Sequence, residues 1–161
     1  MNLNRYTQRA QEAIVASQEL AQSYNHSQIE PDHLLLALLQ QESGVAGEIL
    51  RQVGADPDAV ARQIEGDLAR RPKAYGSNVQ AGLSGQASRV LQDAYAEASQ
   101  MKDDYVSTEH ILLALTGADG GTVARLLGRL GVTRDRILAA LTAIRGSQRV
   151  TDQDPEGKFQ A

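Results

Sequence analysis

The chain has 161 residues, 42% of them hydrophobic and only 4% aromatic, and it contains no cysteine, which excludes disulfide bonds, thiol nucleophiles and thiolate zinc sites. The formal net charge of −4 argues against a nucleic-acid partner, and no apolar run approaches the roughly 18 residues of a membrane span. We therefore expect a cytoplasmic protein that has no nucleic-acid or membrane partner.

Four helices are predicted in the first half of the chain. Apolar residues recur there at spacings of three and four, and polar residues fill the opposite faces. The second helix is apolar on most sides, which is typical of a helix buried between others. The predicted helices run from Asn4 or Thr7 to Tyr24, from Pro31 to about Gln41, from Gly44 to Gly54, and from Asp56-Pro57 through Leu68.

The second half of the chain repeats this order. His33 and His110 stand in similar octapeptides, Pro-Asp-His-Leu-Leu-Leu-Ala-Leu and Thr-Glu-His-Ile-Leu-Leu-Ala-Leu, and are separated by 77 positions. The same offset holds without a gap over the flanking segments, which indicates one structural unit used twice. The predicted helices of the second unit run from Ser84 to about Lys102, from Ser107 to Leu115, from Gly120-Gly121 to Gly131, and from Thr133 to Ile144.

The duplication predicts an all-α fold of eight helices in two tandem four-helix repeats related by an approximate two-fold axis, with no strand. Repeat one covers about residues 4–69 and repeat two about residues 84–145, with a turn-rich loop between them. Leu36 and Leu113 are predicted to be equivalent core residues. Residues 147–161 lose all apolar periodicity and are predicted to form a tether.

Candidate catalytic and metal-binding patterns are weak. Glu30 and His33 have the Glu-x-x-His spacing of helical di-iron sites, but Ser107 replaces the glutamate in the second copy, so helix capping and packing are favoured. The acidic Asp103-Asp104 pair with Glu109 has no predictable partner acid. The sequence also lacks a phosphate-binding loop and a nucleophile elbow. We expect no catalytic, cofactor or metal site, and hence no enzymatic activity, in this segment.

Three segments together carry a family resemblance. They are Arg5-Tyr6-Thr7, residues 29–39 (Ile-Glu-Pro-Asp-His-Leu-Leu-Leu-Ala-Leu-Leu) and residues 104–115 (Asp-Tyr-Val-Ser-Thr-Glu-His-Ile-Leu-Leu-Ala-Leu). Over residues 1–146 the chain resembles the Clp amino-terminal domain, the double-repeat module of Clp-family ATPase unfoldases. Residues 145–158 look like the linker of the ClpB type, which precedes the first ATPase module.

The resemblance implies a protein-binding role. A ClpB-type disaggregase threads polypeptides through a hexameric ring that uses ATP and magnesium and works with a DnaK-type chaperone, while its amino-terminal domain, monomeric as an isolated segment, helps to capture unfolded or aggregated substrates. Thr7, Asp103 and Glu109 match positions that the family uses for substrates, and neighbouring Tyr105 is predicted to add apolar contact. Residues 147–161 would then be a flexible linker toward an ATPase module outside this sequence.

Two alternatives remain open at this point. They are an adaptor-docking domain of a protease-associated Clp unfoldase and a free-standing structural protein of the same fold. Asp93 and Glu97 depart from the family pattern, because relatives carry apolar groove residues at these positions. The groove of this chain is therefore predicted to be more polar than theirs.

Overall fold

The computed structural model describes residues 3–75, 80–146, 149–151 and 153. Within these residues the chain forms eight α-helices, as predicted, together with short 3-10 helices at Leu3–Arg5 and Ala118–Gly120. The α-helices are α1 (Gln8–Ser23), α2 (Pro31–Gln40), α3 (Val45–Val53), α4 (Pro57–Arg70), α5 (Gly85–Gln100), α6 (Thr108–Leu115), α7 (Thr122–Arg129) and α8 (Arg134–Arg145).

The helix starts reproduce the 77-residue offset of the sequence. The residue that precedes each helix of repeat one is 77 positions before its counterpart in repeat two, as 7 is from 84. The four pairs are Thr7 and Ser84, Glu30 and Ser107, Gly44 and Gly121, and Asp56 and Thr133. Hydroxyl or carboxylate oxygens of Thr7, Ser84, Asp56 and Thr133 accept N–H groups of the first helical turn, which are left without partners inside the helix.

Backbone contacts between the repeats show that the operation relating them is a two-fold exchange. The Thr7 N–H donates to the Val106 carbonyl over 3.0 Å, and the Ser84 N–H donates to the Ile29 carbonyl over 3.0 Å. Moving forward by 77 turns Thr7 into Ser84, while moving back by 77 turns Val106 into Ile29. Each contact is therefore the image of the other with the repeats exchanged, as a two-fold axis requires.

The prediction that the chain has no strand is wrong in one detail. Two two-residue strands, β1 (Gln28–Ile29) and β2 (Gly82–Leu83), pair in parallel, and Tyr6 forms an isolated parallel bridge with Val106. These pairs lie where each repeat meets the other just before a helix starts. They satisfy backbone groups that burial would otherwise leave without partners.

The hydrophobic core is shared by both repeats. Helix α1 packs on α2 and α5 packs on α6 within the repeats, while α3 packs on α8 and α2 contacts α7 between them. Leu36 and Leu113 are 0% and 2% exposed, so the prediction that they are equivalent core residues is confirmed. No helix among the described residues is both long and apolar enough to cross a bilayer.

The chain after α8 does not behave as the predicted tether over its described residues. Val150 is 0% exposed, its carbonyl accepts the Asp104 N–H over 2.7 Å, and the Gln153 carbonyl accepts the Gln8 N–H over 2.7 Å. Val150 and Gln153 therefore contact the domain beyond the predicted boundary at residue 146, which stays a prediction. The remainder of the predicted linker, 147–148, 152 and 154–161, lies outside the described residues.

Candidate functional site

The loop between α5 and α6 carries Asp103 and Tyr105, two of the four predicted site residues. Helix α5 ends at Gln100, and Lys102, two residues later, has a left-handed φ of 59°. The next side chain, Asp103, is fully buried and accepts three hydrogen bonds. The donors are His110 Nε2 at 2.7 Å, Arg145 Nη2 at 2.6 Å and the Val150 N–H at 2.9 Å. Asp103 thus ties α6, the end of α8 and the following chain segment to one carboxylate.

These donors keep Asp103 ionised despite its burial. Burial alone would raise the pKa of the carboxyl, but the hydrogen bonds from His110, Arg145 and the Val150 N–H outweigh it and lower the pKa to about 2. A carboxylate that is hydrogen-bonded on all sides is a structural anchor. With the Arg149–Thr151 segment in place, it has little capacity to accept further donors.

Glu109 lies in the first turn of α6 and shares Arg145 with Asp103. Its side chain is 0% exposed, and its Oε2 lies 3.6 Å from Arg145 Nη1. A carboxylate in the first turn of a helix is also stabilised by the helix dipole. Arg145, which is 6% exposed, therefore sits between two buried carboxylates. Removal of Arg145 would leave two buried carboxylates without their counter-charge.

Thr7 and Tyr105 complete the predicted set. Thr7 is 0% exposed; its hydroxyl accepts the Ala10 N–H over 3.2 Å, and its own N–H bonds Val106 as described above. Tyr105 is half-buried beside Val106. The structure thus brings the four predicted residues together around the loop between α5 and α6.

The caps and carboxylates of this site are not exposed. Thr7, Asp103 and Glu109 are buried, and each has partners within the domain. Of the four predicted residues, only Tyr105 is not buried. The assignment of all four to substrate binding stays a prediction.

The position in repeat one that corresponds to Asp103 is surrounded by different side chains. His26 stands where repeat two has Asp103, and its Nδ1 lies 2.9 Å from His33 Nε2. His33 Nδ1 accepts the Glu30 N–H over 2.8 Å, so this histidine caps its helix. Arg71 forms a two-pronged ion pair with Asp32 beside the histidines. Among the described residues, no group of three or more His, Asp or Glu side chains is placed to hold a metal ion.

The groove at Asp93 and Glu97 is polar on one wall. It has a volume of about 240 Å³ and is lined by Asp93, Ala96, Glu97, Leu113, Ala114, Thr116, Gly117 and Arg134. Arg134 donates two hydrogen bonds to Glu97, from Nε at 3.1 Å and from Nη2 at 3.0 Å. Burial and a hydrogen bond with Asp119 raise the pKa of Asp93. An ion pair therefore occupies part of a groove whose floor is apolar.

Two important residues of the site escaped the sequence analysis. Arg145 lies one position after the predicted end of the last helix at Ile144, and Val150 lies in the predicted tether. A signal was present in the repeat offset, because Arg145 corresponds to Leu68 and Asp103 to His26. An acid and a base that both replace uncharged residues of the other repeat indicate an ion pair that only repeat two contains. Val150 is also an isolated apolar residue in a polar segment.

The chain is similar to chaperones of the Clp group. It is 37% identical to chaperone protein ClpB of Bacillus anthracis over 164 residues, which covers 100% of this chain and 19% of that protein. Its fold matches the crystal structure of the Hsp104 N-terminal domain from Candida albicans with a TM-score of 0.78 and 26% identity, covering 95% of this chain and 99% of that one.

A plant relative has the same fold. The N-terminal domain of the caseinolytic protease associated chaperone ClpD from Arabidopsis thaliana matches with a TM-score of 0.68 and 27% identity, covering 89% of this chain and 96% of that one. The chain spans about a fifth of the length of the ClpB protein that it resembles. The family model of the Clp repeat (R) N-terminal domain matches residues 5–130. With this match over most of its length and two helical repeats joined by a two-fold axis, the chain belongs to the Clp N-terminal domain family.

Proposed function

We propose that this chain is the substrate-binding domain of a ClpB-type, ATP-dependent disaggregase. The similarity to ClpB chaperones along the entire chain carries this proposal. In it, the domain captures unfolded or aggregated polypeptides. The rest of the protein would supply the hexameric ring, the ATP and magnesium sites and the contact with a DnaK-type chaperone. This segment would need no cofactor of its own.

The proposed binding surface is centred on the loop between α5 and α6. Tyr105 presents a half-buried ring there, next to the exposed Asp104. A tyrosine offers apolar area and a polar tip at a low cost in side-chain entropy. Thr7, Asp103 and Glu109 are buried nearby, and the Thr7 N–H donates to the Val106 carbonyl of the loop. Affinity is expected to be micromolar or weaker, because several copies in a ring bind together by avidity.

Amide chemical-shift mapping with a permanently unfolded, carboxymethylated model protein tests the proposal. Shifts are expected at residues 103–106, and Tyr105→Ala should weaken binding at least about fivefold, as expected for loss of an aromatic contact. Tyr75→Ala is the matched control, because Tyr75 is 77% exposed elsewhere in the chain. Equal binding by both variants would contradict the proposed surface. No shift at any residue would contradict the function.

Glu109→Gln separates binding from stability. It removes the charge beside Arg145 and retains the shape of the side chain. A lower melting temperature with unchanged affinity for the unfolded model protein would assign Glu109 a structural role only. Weaker binding at an unchanged melting temperature would support its predicted role in substrate binding.

The likeness to a protease-associated chaperone supports a second candidate, an adaptor-docking domain. The groove between Glu97 and Arg134 suits a folded partner with paired charges better than a plain apolar segment. Glu97→Ala separates the two candidates. It should leave binding of the unfolded model protein unchanged if that protein binds at Tyr105.

A further inference from the structure

Part of the chain after α8 lies across the proposed binding surface. We call its described residues the strap: Arg149, Val150, Thr151 and Gln153. At one end of the strap, Val150 donates its N–H to Asp103 Oδ1 and accepts the Asp104 N–H. At the other end, the Gln153 carbonyl accepts the Gln8 N–H, and its Nε2 donates to the Asn4 carbonyl over 3.2 Å. The strap thus bridges the loop of repeat two and the start of α1 in repeat one.

The strap is held mainly through its backbone. Arg149, Thr151 and Gln153 are exposed, and only the Val150 side chain is buried among the described strap residues. The Gln8 N–H belongs to the first turn of α1 and has no partner inside the helix. The Thr7 hydroxyl satisfies the Ala10 N–H in the same turn, so the strap supplies the acceptor that the cap does not. Backbone contacts of this kind are available to any extended polypeptide.

We propose that the strap occupies the polypeptide-binding site of its own domain and that a substrate binds by replacing it. The substrate would be an extended segment with one aliphatic residue in the Val150 position. Its backbone would accept the N–H groups of Asp104 and Gln8 and donate to Asp103. This inference rests on the proposed function, and it explains why Asp103, a predicted substrate-binding residue, is covered in the structure.

Competition by an attached strap makes the observed affinity weaker than the intrinsic one. A short tether gives the strap a millimolar effective concentration, roughly, whereas a free polypeptide is far more dilute. The apparent dissociation constant therefore equals the intrinsic constant divided by the fraction of domains in which the strap is open. Weakening the strap should tighten binding, although the change removes a contact from the domain.

Val150→Asp in the full chain tests the proposal, with Thr151→Asp as the matched control. Both add one negative charge to the strap, but Val150 is buried and Thr151 is exposed. The probe is a labelled synthetic peptide with the sequence of residues 146–153, followed by fluorescence anisotropy. Val150→Asp should bind it at least about tenfold more tightly than the wild type, and Thr151→Asp should not. Equal affinity of all three chains would overturn the proposal.

Amide hydrogen exchange of the wild type is a second test of the proposal, and it does not depend on whether Val150→Asp folds. The N–H groups of Gln8 and Asp104 should exchange through strap opening, well before the core amides of α6. Exchange of these two amides only with global unfolding would overturn the proposal. The unfolded model protein tests the function separately. If it binds the wild type and Val150→Asp equally well, the strap proposal fails and the function stands.

Discussion

His26 and Asp103 occupy equivalent positions of the two repeats, and they accept a hydrogen bond from His33 and His110 with different chemical groups. His33 and His110 each accept a backbone N–H at Nδ1 over 2.8 Å. Because a backbone N–H only donates, each ring must carry its proton on Nε2 and donate it outward. His33 donates to neutral His26, while His110 donates to the Asp103 carboxylate. Protonation of His33 at Nδ1 would therefore break the bond from Glu30.

Mild acid is expected to destabilise the domain through repeat one. Burial lowers the pKa of His33 from 6.5 to about 4. The unfolded chain therefore takes up the proton first, and stability falls as the pH drops from about 6.5 toward about 4. Linkage predicts that His33 contributes a loss of about 2 kcal/mol in unfolding free energy between pH 7 and pH 5. Urea denaturation at both values measures it.

His26→Asp is the matched variant for this prediction, since it gives repeat one the acid–histidine pair of repeat two. The loss between pH 7 and pH 5 should shrink to less than half of the wild-type value. An equal loss in both chains would contradict the assignment to the His26–His33 pair. Asp103 does not contribute in this window, because its pKa is lowered from 3.8 to about 2 and its stabilisation is lost only below pH 3.8.

At the scale of elements, α2 and α6 occupy the centre of the domain. Every residue of α6 is buried, and α2 is buried from Pro31 through Leu38. Neither helix is amphipathic, since other helices surround both. The outer helices α3 and α7 have one apolar face, and Gly54 and Gly131 follow them with φ of 101° and 76°. These glycines adopt a left-handed conformation that other residues rarely reach.

Leu113→Ala is expected to lower the unfolding free energy by roughly 2–5 kcal/mol, because it leaves a cavity in a close-packed core. Leu130→Ala is the control, since Leu130 is 44% exposed and its truncation leaves no enclosed cavity. Chemical denaturation of the two variants should differ clearly. A loss below about 1 kcal/mol for Leu113→Ala would contradict its burial.

At the scale of the whole molecule, the two repeats form one cooperative unit. Helix α3 is covered by α8 of the other repeat, and each first helix begins on a backbone bond across the two-fold axis. The strap adds a second connection, because it joins the end of repeat two to the start of α1. Each repeat therefore leaves part of its apolar surface for the other repeat to cover.

Separated repeats are expected to remain largely unfolded. Fragments of residues 1–75 and 76–161 should each show weak helical circular dichroism, and an equimolar mixture should recover much of the helical signal. The physical reason is that each fragment exposes the apolar faces that the other covers. A fragment that unfolds cooperatively by itself would show that one repeat suffices.

The chain is expected to bind no nucleotide. It lacks the glycine-rich loop and the following lysine that hold phosphates in P-loop proteins. Calorimetric titration with ATP and magnesium should give no binding heat beyond that of a titration with magnesium alone. A micromolar dissociation constant would contradict the prediction.

The sequence by itself determined the parts of this protein that depend on local pattern. Apolar spacing, capping residues and the 77-residue offset predicted the eight helices, their starts, the two-fold relation and the equivalence of Leu36 and Leu113. Apolar spacing and capping residues follow from backbone geometry over a few residues, and the 77-residue offset carries the same pattern into the second repeat. The same local motif, once recognised, also indicated the family.

Only the tertiary structure decided what surrounds the predicted site residues. Asp103 and Arg145 are 42 positions apart and Asp103 and Val150 are 47 apart, so no local pattern links them. The local sequence around a loop carboxylate is the same whether that carboxylate is solvated or forms an ion pair with a distant arginine. Burial of Thr7, Asp103 and Glu109 depends on how α1, α6, α8 and the strap converge, because packing between distant segments sets solvent access.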